Sequence, residues 1–295
     1  MISVIIPTYG RVVILDRVLY AFTHQSCKDF EVILVSDGDE TGALLYKQSY
    51  QMPFPMKVVW QENAGPAKAR NIGVEHAKSD IVCFIGDDCI PARDFVFQHT
   101  YSHLKYREGA VQGYTIWHPD IVDDFMRYLY ESGIQVNEPA LKDGNGWKEK
   151  VDGFFMTTNV SITKRAFHNV GGFSDKFPAA AWEDVHIGAV LAQQQTPTYF
   201  NHKALNYHWH KQTLDSYIHR QMTEGASRLV LCELLPELSG NLIDSVNLRK
   251  FDENVFNAAV ADARETHYSQ SPDFQELRRY RWGKALQLAS LKGML

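Results

Sequence analysis

The chain has 295 residues, 45% of them hydrophobic, with 30 Lys and Arg against 35 Asp and Glu for a formal charge of −5. That length and composition suit a large packed core, and the slightly acidic balance gives no general attraction to nucleic acid or an anionic membrane surface. No run approaches the ~20 consecutive apolar residues needed to span a bilayer, and the opening MISVIIPTYGR lacks the basic start and long apolar core of an export signal, so a cytoplasmic location is expected. Cys27, Cys83, Cys89 and Cys232 show no C-x-x-C spacing; they are expected to be reduced thiols rather than a zinc site or disulfide framework.

Up to about residue 115, short β-rich runs alternate with helical periodicity, the pattern of βαβ units around a mostly parallel sheet. SVIIPT (3–8), FEVILVSD (30–37), KVVW (57–60) and DIVCFI (80–85) have the near-continuous apolar character of strands covered on both faces. Between the first two, Leu15, Val18, Leu19 and Phe22 make one helical stripe. Between the third and fourth, NAGPAKARNIGVEHA offers a cap at Asn63 or Gly65, then Pro66 and an Ala-rich helix. Residues 138–150 are polar and glycine-containing and predict a surface loop. After them FMTTNVSIT and ALNYHWH predict strands, KRAFHNVGGF and WEDVHIGAVLAQQQ helices, and the chain from about Thr213 is mainly helical.

Open sheets of this kind bind ligands beyond the carboxyl ends of their strands. The rule selects Pro7 to Arg11, Asp37, Gly65 to Arg70, and the adjacent acids Asp87 and Asp88. Paired acids at a strand end either hold a hard divalent cation or form a solvated turn. Asp37 fits a turn, or an acceptor for a base or ribose. Lys68 and Arg70 lie in the first turns of a helix whose N-terminus favours anions, although a solvent-facing helix also carries such cations. Together the four features describe a site for a nucleoside diphosphate. In the second half, Glu183 and Asp184 open a helix, where acids suit the dipole and where a carboxylate can also serve as a general base. His208 and His210 are two apart on an expected strand and so share a face, from which one could reach a metal.

The ordered set SVIIPTYGR, VILVSDGD, NAGPAKARNIG, FIGDDCIP, TTNVSITKRAF, GGFSDKF and WEDVHIGAVL resembles the family 2 glycosyltransferases, inverting enzymes of GT-A fold, over residues 1 to about 225. The resemblance implies an α/β Rossmann-like, mostly parallel sheet flanked by helices. It also implies a donor-binding half (1–115), an acceptor-binding and catalytic half (116–225) and a helical C-terminal extension (226–295). Pro7, Thr8, Tyr9, Arg11, Asp37, Arg70 and Asp87 would contact a nucleotide-sugar donor, usually UDP-linked. Asp88 and His208 would hold Mn2+ or Mg2+, Asp184 would be the general base, and Trp182 and Glu183 would face the acceptor. Gly86 stands where relatives often carry another acid, a departure expected to alter metal affinity.

The implied reaction moves a sugar to a hydroxyl of a glycan or lipid-linked acceptor with inversion. A sugar nucleotidyltransferase would be expected to carry a Gly-rich phosphate loop after the first strand, and PTYGRVV is not one; an inactive GT-A scaffold is the alternative from another class. The C-terminal DFQELRRYRWGKALQLASLKGML places Leu277, Trp282, Leu286 and Leu291 among basic residues. This stripe suits packing on the protein body or a second subunit better than peripheral contact with the inner face of a membrane.

Overall fold

The computed structural model describes residues 1–38, 41–49, 51–133, 141–144, 146–178, 180–242, 251–267 and 275–295. In these residues the chain divides into two compact units, one of Met1–Ile121, Val136–Asp175 and Glu183–His210, the other of Val122–Gln135, Lys176–Trp182 and Lys211–Leu295. The division interleaves along the sequence rather than falling at residues 115 and 225.

The first unit is an eight-stranded sheet of order β3-β2-β1-β4-β9-β6-β10-β5. Its strands are β1 (Ile2–Thr8), β2 (Phe30–Asp37), β3 (Met56–Gln61), β4 (Ile81–Ile85), β5 (Cys89–Pro91), β6 (Ala110–Trp117), β9 (Asn159–Thr163) and β10 (Thr198–His208). β1 pairs in parallel with β2 and β4, and β2 with β3, so these four strands end along one edge. The remainder is mixed: β9 lies antiparallel between β4 and β6, and β5 lies antiparallel to β10. Every residue of β1 and β2 is buried. One face, with Ile2, Val4 and Ile6, packs on Leu15, Val18, Leu19 and Phe22 of the helix Val12–Thr23. The other, with Ile5, Ile33 and Val35, packs on Ala69 and Val74 of the helix Gly65–His76. Each such side chain contributes ~1.5–3 kcal/mol when fully buried. Gly73 permits this second contact, since a Cβ there would lie 2.4 Å from Ile5 Cγ2.

Two expected elements differ in detail. Strand β9 begins only at Asn159, because Thr157 and Thr158 form a turn. Of the expected loop at 138–150, residues 138–140 and 145 lie outside the described residues. The rest contains the short strands β7 (Lys142–Asp143) and β8 (Gly146–Trp147), with Trp147 against Phe200 at 5.5 Å between ring centroids.

The second unit packs the helices Asp124–Glu131, Leu214–Leu234, Glu253–His267 and Gln275–Lys292 around Phe125, Leu129, Tyr217, Val260, Trp282 and Leu286. Thr213 and Ser216 form a reciprocal cap on the longest of these, which satisfies helix-end N–H groups otherwise left without partners. Trp282, Leu286 and Leu291 are buried in this unit, while Leu277 is 37% exposed. The apolar stripe is therefore mostly covered by the unit's own helices. No described helix is long and apolar enough to cross a membrane.

Candidate active site

Two strands from distant parts of the sequence build the centre of the site. Antiparallel pairing of β5 with β10 sets Cys89 opposite His208, which brings the residue before the first strand, Asp88, beside the last residue of the second. The Trp209 N–H donates to the Asp88 carbonyl at 2.7 Å and fixes the approach. His208 Nε2 lies 3.3 Å from Asp88 Oδ1, and His210 Nδ1 lies 3.1 Å from Oδ2. The strand ends at His208, so His210 reaches Asp88 from the segment beyond it rather than from the same strand face. His208 is buried and stacks on Trp117, with centroids 5.0 Å apart.

Arg11 closes the cluster from the first strand end. Its Nη1 donates to Asp88 Oδ2 at 2.5 Å and Asp87 Oδ1 at 3.2 Å, and Thr8 Oγ1 donates to Asp87 Oδ2 at 2.9 Å. These contacts separate two adjacent acids electrostatically. Burial, then the Asp88 charge, pushes Asp87 up to about 6 despite Arg11 and Thr8. Burial also opposes ionisation of Asp88, yet His208, His210 and Arg11 hold it well below the usual carboxylate range. Asp88 is thus much the more acidic of the pair, the one that stays ionised over the wider pH range.

Asp88, Cys89 and His208 each offer one donor atom, all within 4.8 Å of one another. A carboxylate and an imidazole suit a divalent cation such as manganese, and the thiol adds a softer donor. Sequence reasoning passed over Cys89 because it looked only for paired cysteines. Burial and the neighbouring Asp88 push that thiol far above its ordinary range, so it donates to Asp88 Oδ1 at 3.6 Å and would shed the proton on becoming a ligand. Gly86 has a local reason. A Cβ there would lie 2.8 Å from Asp88 Oδ1 and 3.1 Å from Cys89 Sγ, so an acid at this position would crowd the donors as they are arranged here.

The other expected donor residues stand at neighbouring strand ends. Pro7 and Thr8 are buried within β1, whereas Tyr9 is 59% exposed. Asp37 closes β2 and caps the helix Gly65–His76. Its Oδ1 accepts from Gln61 Nε2 at 2.6 Å and the Ala64 N–H at 2.8 Å, its Oδ2 from the Gly65 N–H at 2.9 Å. The cap expected from Asn63 or Gly65 therefore comes from the end of β2, and Asn63 instead donates to the Asp37 carbonyl. Lys68 is exposed, whereas Arg70 is buried against the ring of Phe173.

Arg70 and Glu183, assigned by the sequence to donor and acceptor respectively, pair with each other. Arg70 Nη1 lies 2.9 Å from Glu183 Oε1 in a buried contact. Next to this pair, Asp184 accepts from the Thr157 N–H at 3.4 Å. Burial first, then the Glu183 carboxylate, pushes Asp184 above the usual range, to about 6, against the opposing effect of Arg70. Trp182 holds φ of 72°, a left-handed conformation unusual for a bulky residue. Its ring is covered by the Arg228 guanidinium at 4.8 Å.

Supporting residues had no motif to announce them. Gln112 accepts from the Met156 N–H at 2.8 Å and donates to the Asn159 carbonyl at 2.8 Å, spanning the turn that carries Thr157. Asn71 donates to the Phe173 carbonyl at 2.8 Å and accepts from its N–H at 3.0 Å, holding the ring that faces Arg70.

An uncharacterized glycosyltransferase of Bacillus subtilis (strain 168), YfnE, is 37% identical over 235 residues, covering 65% of this chain and 60% of that protein. The chain spans 22% to 60% of the length of the first curated relatives it matches. In fold it is similar to mannosyltransferase PcManGT from Pyrobaculum calidifontis, solved with GDP-Man and Mn2+, at a TM-score of 0.64 and 18% identity, covering 99% of this chain and 85% of that one. It is also similar to S. aureus TarS solved with UDP-GlcNAc, at 0.57 and 14%, covering 99% and 90%. Residues 3–171 match the model of glycosyl transferase family 2, and the chain belongs to that family.

Proposed function

We propose that the chain transfers a sugar from a nucleotide-sugar donor, UDP-linked by preference, to a hydroxyl of a glycan or lipid-linked acceptor with inversion at the anomeric carbon. The observation that carries this reading is the ionised Asp88 carboxylate held between Arg11, His208 and His210 at the carboxyl edge of the sheet, where such folds receive ligands.

The donor atoms of Asp88, Cys89 and His208 fit a divalent cation, Mn2+ or Mg2+, with the thiol favouring manganese of the two. Bound there, the cation would offset negative charge on the diphosphate leaving group. Arg11, half-exposed beside these acids, can turn its guanidinium toward the same phosphate oxygens. The exposed ring of Tyr9 gives a face on which a base can stack. The uracil preference rests on the family resemblance at Asp37 and on the UDP-sugar bound by TarS.

Asp184 serves as the base. Raised to about 6, its carboxyl is largely ionised at neutral pH yet basic enough to take a proton. As the acceptor oxygen attacks the anomeric carbon, its proton passes to Asp184. The carbon–oxygen bond to the diphosphate breaks on the opposite face. Arg70, paired with Glu183, limits the negative charge around that base.

The test measures nucleotide release from UDP, GDP and dTDP sugars with manganese present and absent. Manganese-dependent release, greatest from a UDP sugar and lost in Asp88→Asn, supports the proposal. Equal release without metal, or from that variant, overturns the metal assignment. Asp184→Asn should bind donor normally while transfer falls ~10²–10⁴-fold; full transfer by that variant refutes its role.

A further inference from the structure

The helical unit contains a cavity of about 310 Å³ that the transfer reaction leaves unexplained. At ~30 Å³ per water, this is room for on the order of ten water-sized groups. Apolar wall comes from Leu242, Leu286, Leu291 and Met294, and Gln221, Arg228 and Ser290 also line it. Two glycines fix its walls. A Cβ on Gly225 would lie 2.5 Å from the Gly293 carbonyl carbon, and one on Gly293 would lie 1.8 Å from the Met222 carbonyl oxygen. The helix Leu214–Leu234 touches the turn after the last helix there by backbone, next to the lining residues Gln221 and Met294.

The polar groups around this cavity are incompletely matched. Ser290 is 8% exposed, and its hydroxyl has no hydrogen-bond partner among the described residues. The Arg228 Nε is likewise buried without a hydrogen-bond partner among the described residues. The acid one turn before it, Glu224, is held by Arg220 Nε at 2.5 Å and Gln221 Nε2 at 2.8 Å. Arg228 rests on the Trp182 ring instead, which attracts a cation but does not neutralise it. Burial disfavours this guanidinium and the Glu224 charge offsets that only in part, so an anionic acceptor for its Nε would be favourable.

We propose that this cavity binds a single-chain amphiphile with an anionic head, the head on Arg228 and the chain along Leu286, Leu291 and Met294. A free inorganic anion would leave the apolar wall unused, and an uncharged alkane would leave the Arg228 Nε and the Ser290 hydroxyl without an acceptor. Charge and wall together select a molecule carrying both.

Isothermal titration of the full chain with octyl phosphate, octanol and inorganic phosphate tests this without donor, metal or turnover, so its outcome is separate from that of the transfer assignment. Octyl phosphate below its aggregation concentration should bind about tenfold tighter than octanol, and inorganic phosphate should not compete. Arg228→Gln should reduce octyl phosphate to the level of octanol, whereas Arg228→Lys keeps the preference. Ser290→Leu, which fills the cavity and retains the cation, should weaken both ligands about tenfold. Absence of octyl phosphate binding, competition by inorganic phosphate, or unchanged binding in folded Arg228→Gln or Ser290→Leu would overturn the site.

Discussion

Arg11 already gives the two acids of the site a positive charge. Its guanidinium contacts both Asp87 and Asp88, and a divalent cation seeking Asp88 must compete with it. Arg11→Gln should therefore tighten Mn2+ binding in the absence of donor, by about tenfold if ~1.4 kcal/mol of competition is removed, while Asp88→Asn should weaken it. Calorimetric titration of manganese into both variants decides, and weaker binding in Arg11→Gln would mean that the arginine supports the metal site instead. Asp184 leads to a prediction about stability. Its carboxyl rises from an ordinary 3.8 to about 6 in the folded chain, so the folded state holds its proton more tightly than the unfolded state. That preference is fully present below pH 3.8 and is lost as pH rises through about 6, leaving an ionised buried acid at neutral pH. Asp184→Asn should thus stabilise the fold at pH 7 by up to about 3 kcal/mol, with the gain vanishing below pH 4. Urea unfolding across that range would show it, and a gain independent of pH would point to another cause. These roles were only partly legible in sequence. Asp88 and Asp184 announced themselves as acids at element ends, but the pairing of Arg70 with Glu183 joins residues 113 positions apart, and nothing local encodes it.

At the scale of elements, the parallel strands β1, β2 and β4 were readable because burial on both faces makes them continuously apolar, whereas the edge strand β3 is only partly covered, with Trp60 exposed. The three residues of β5 were not, since so short a run carries no periodicity, although its pairing with β10 positions the proposed metal donors. The expected Asn63 or Gly65 cap failed for a related reason. Capping rules search beside the helix, whereas Asp37 arrives from β2, with β3 lying between them in the sequence. This shared use of Asp37 gives a test. Asp37→Ala removes acceptors from Gln61 and from two backbone N–H groups at the start of the helix Gly65–His76, and should cost about 1–2 kcal/mol on the usual scale of a lost cap. Asp37→Asn, which keeps one carbonyl oxygen, should cost less. Denaturant midpoints with unchanged slopes would measure both, and an Asp37→Ala chain as stable as the parent would deny the cap any energetic role.

For the whole molecule, the consequential difference from the sequence is that neither compact unit is continuous along the chain. Residues 122–133 and 176–182 belong with the C-terminal helices, so the boundary expected at residue 225 cuts through one core. Phe125 stacks edge-on against Trp282 at 5.2 Å and Tyr217 at 6.2 Å. A chain ending at residue 225 would keep Phe125, Leu129 and Tyr217 but lose Phe256, Val260, Trp282 and Leu286, which cover them. Exposed apolar surface of that kind favours association and dye binding. The shortened chain should bind 8-anilinonaphthalene-1-sulfonate strongly and aggregate, even though it contains almost the whole region resembling the family. The intact variant Trp282→Ala should show a milder form of the same defect, destabilised by about 3–5 kcal/mol in the range for large-to-small core changes. A shortened chain that stays monomeric, excludes the dye and unfolds cooperatively would demonstrate that the C-terminal helices are dispensable to the core they complete. Strong dye binding and aggregation would show instead that this core is completed only by helices past residue 225, outside the motifs from which the chemistry is read.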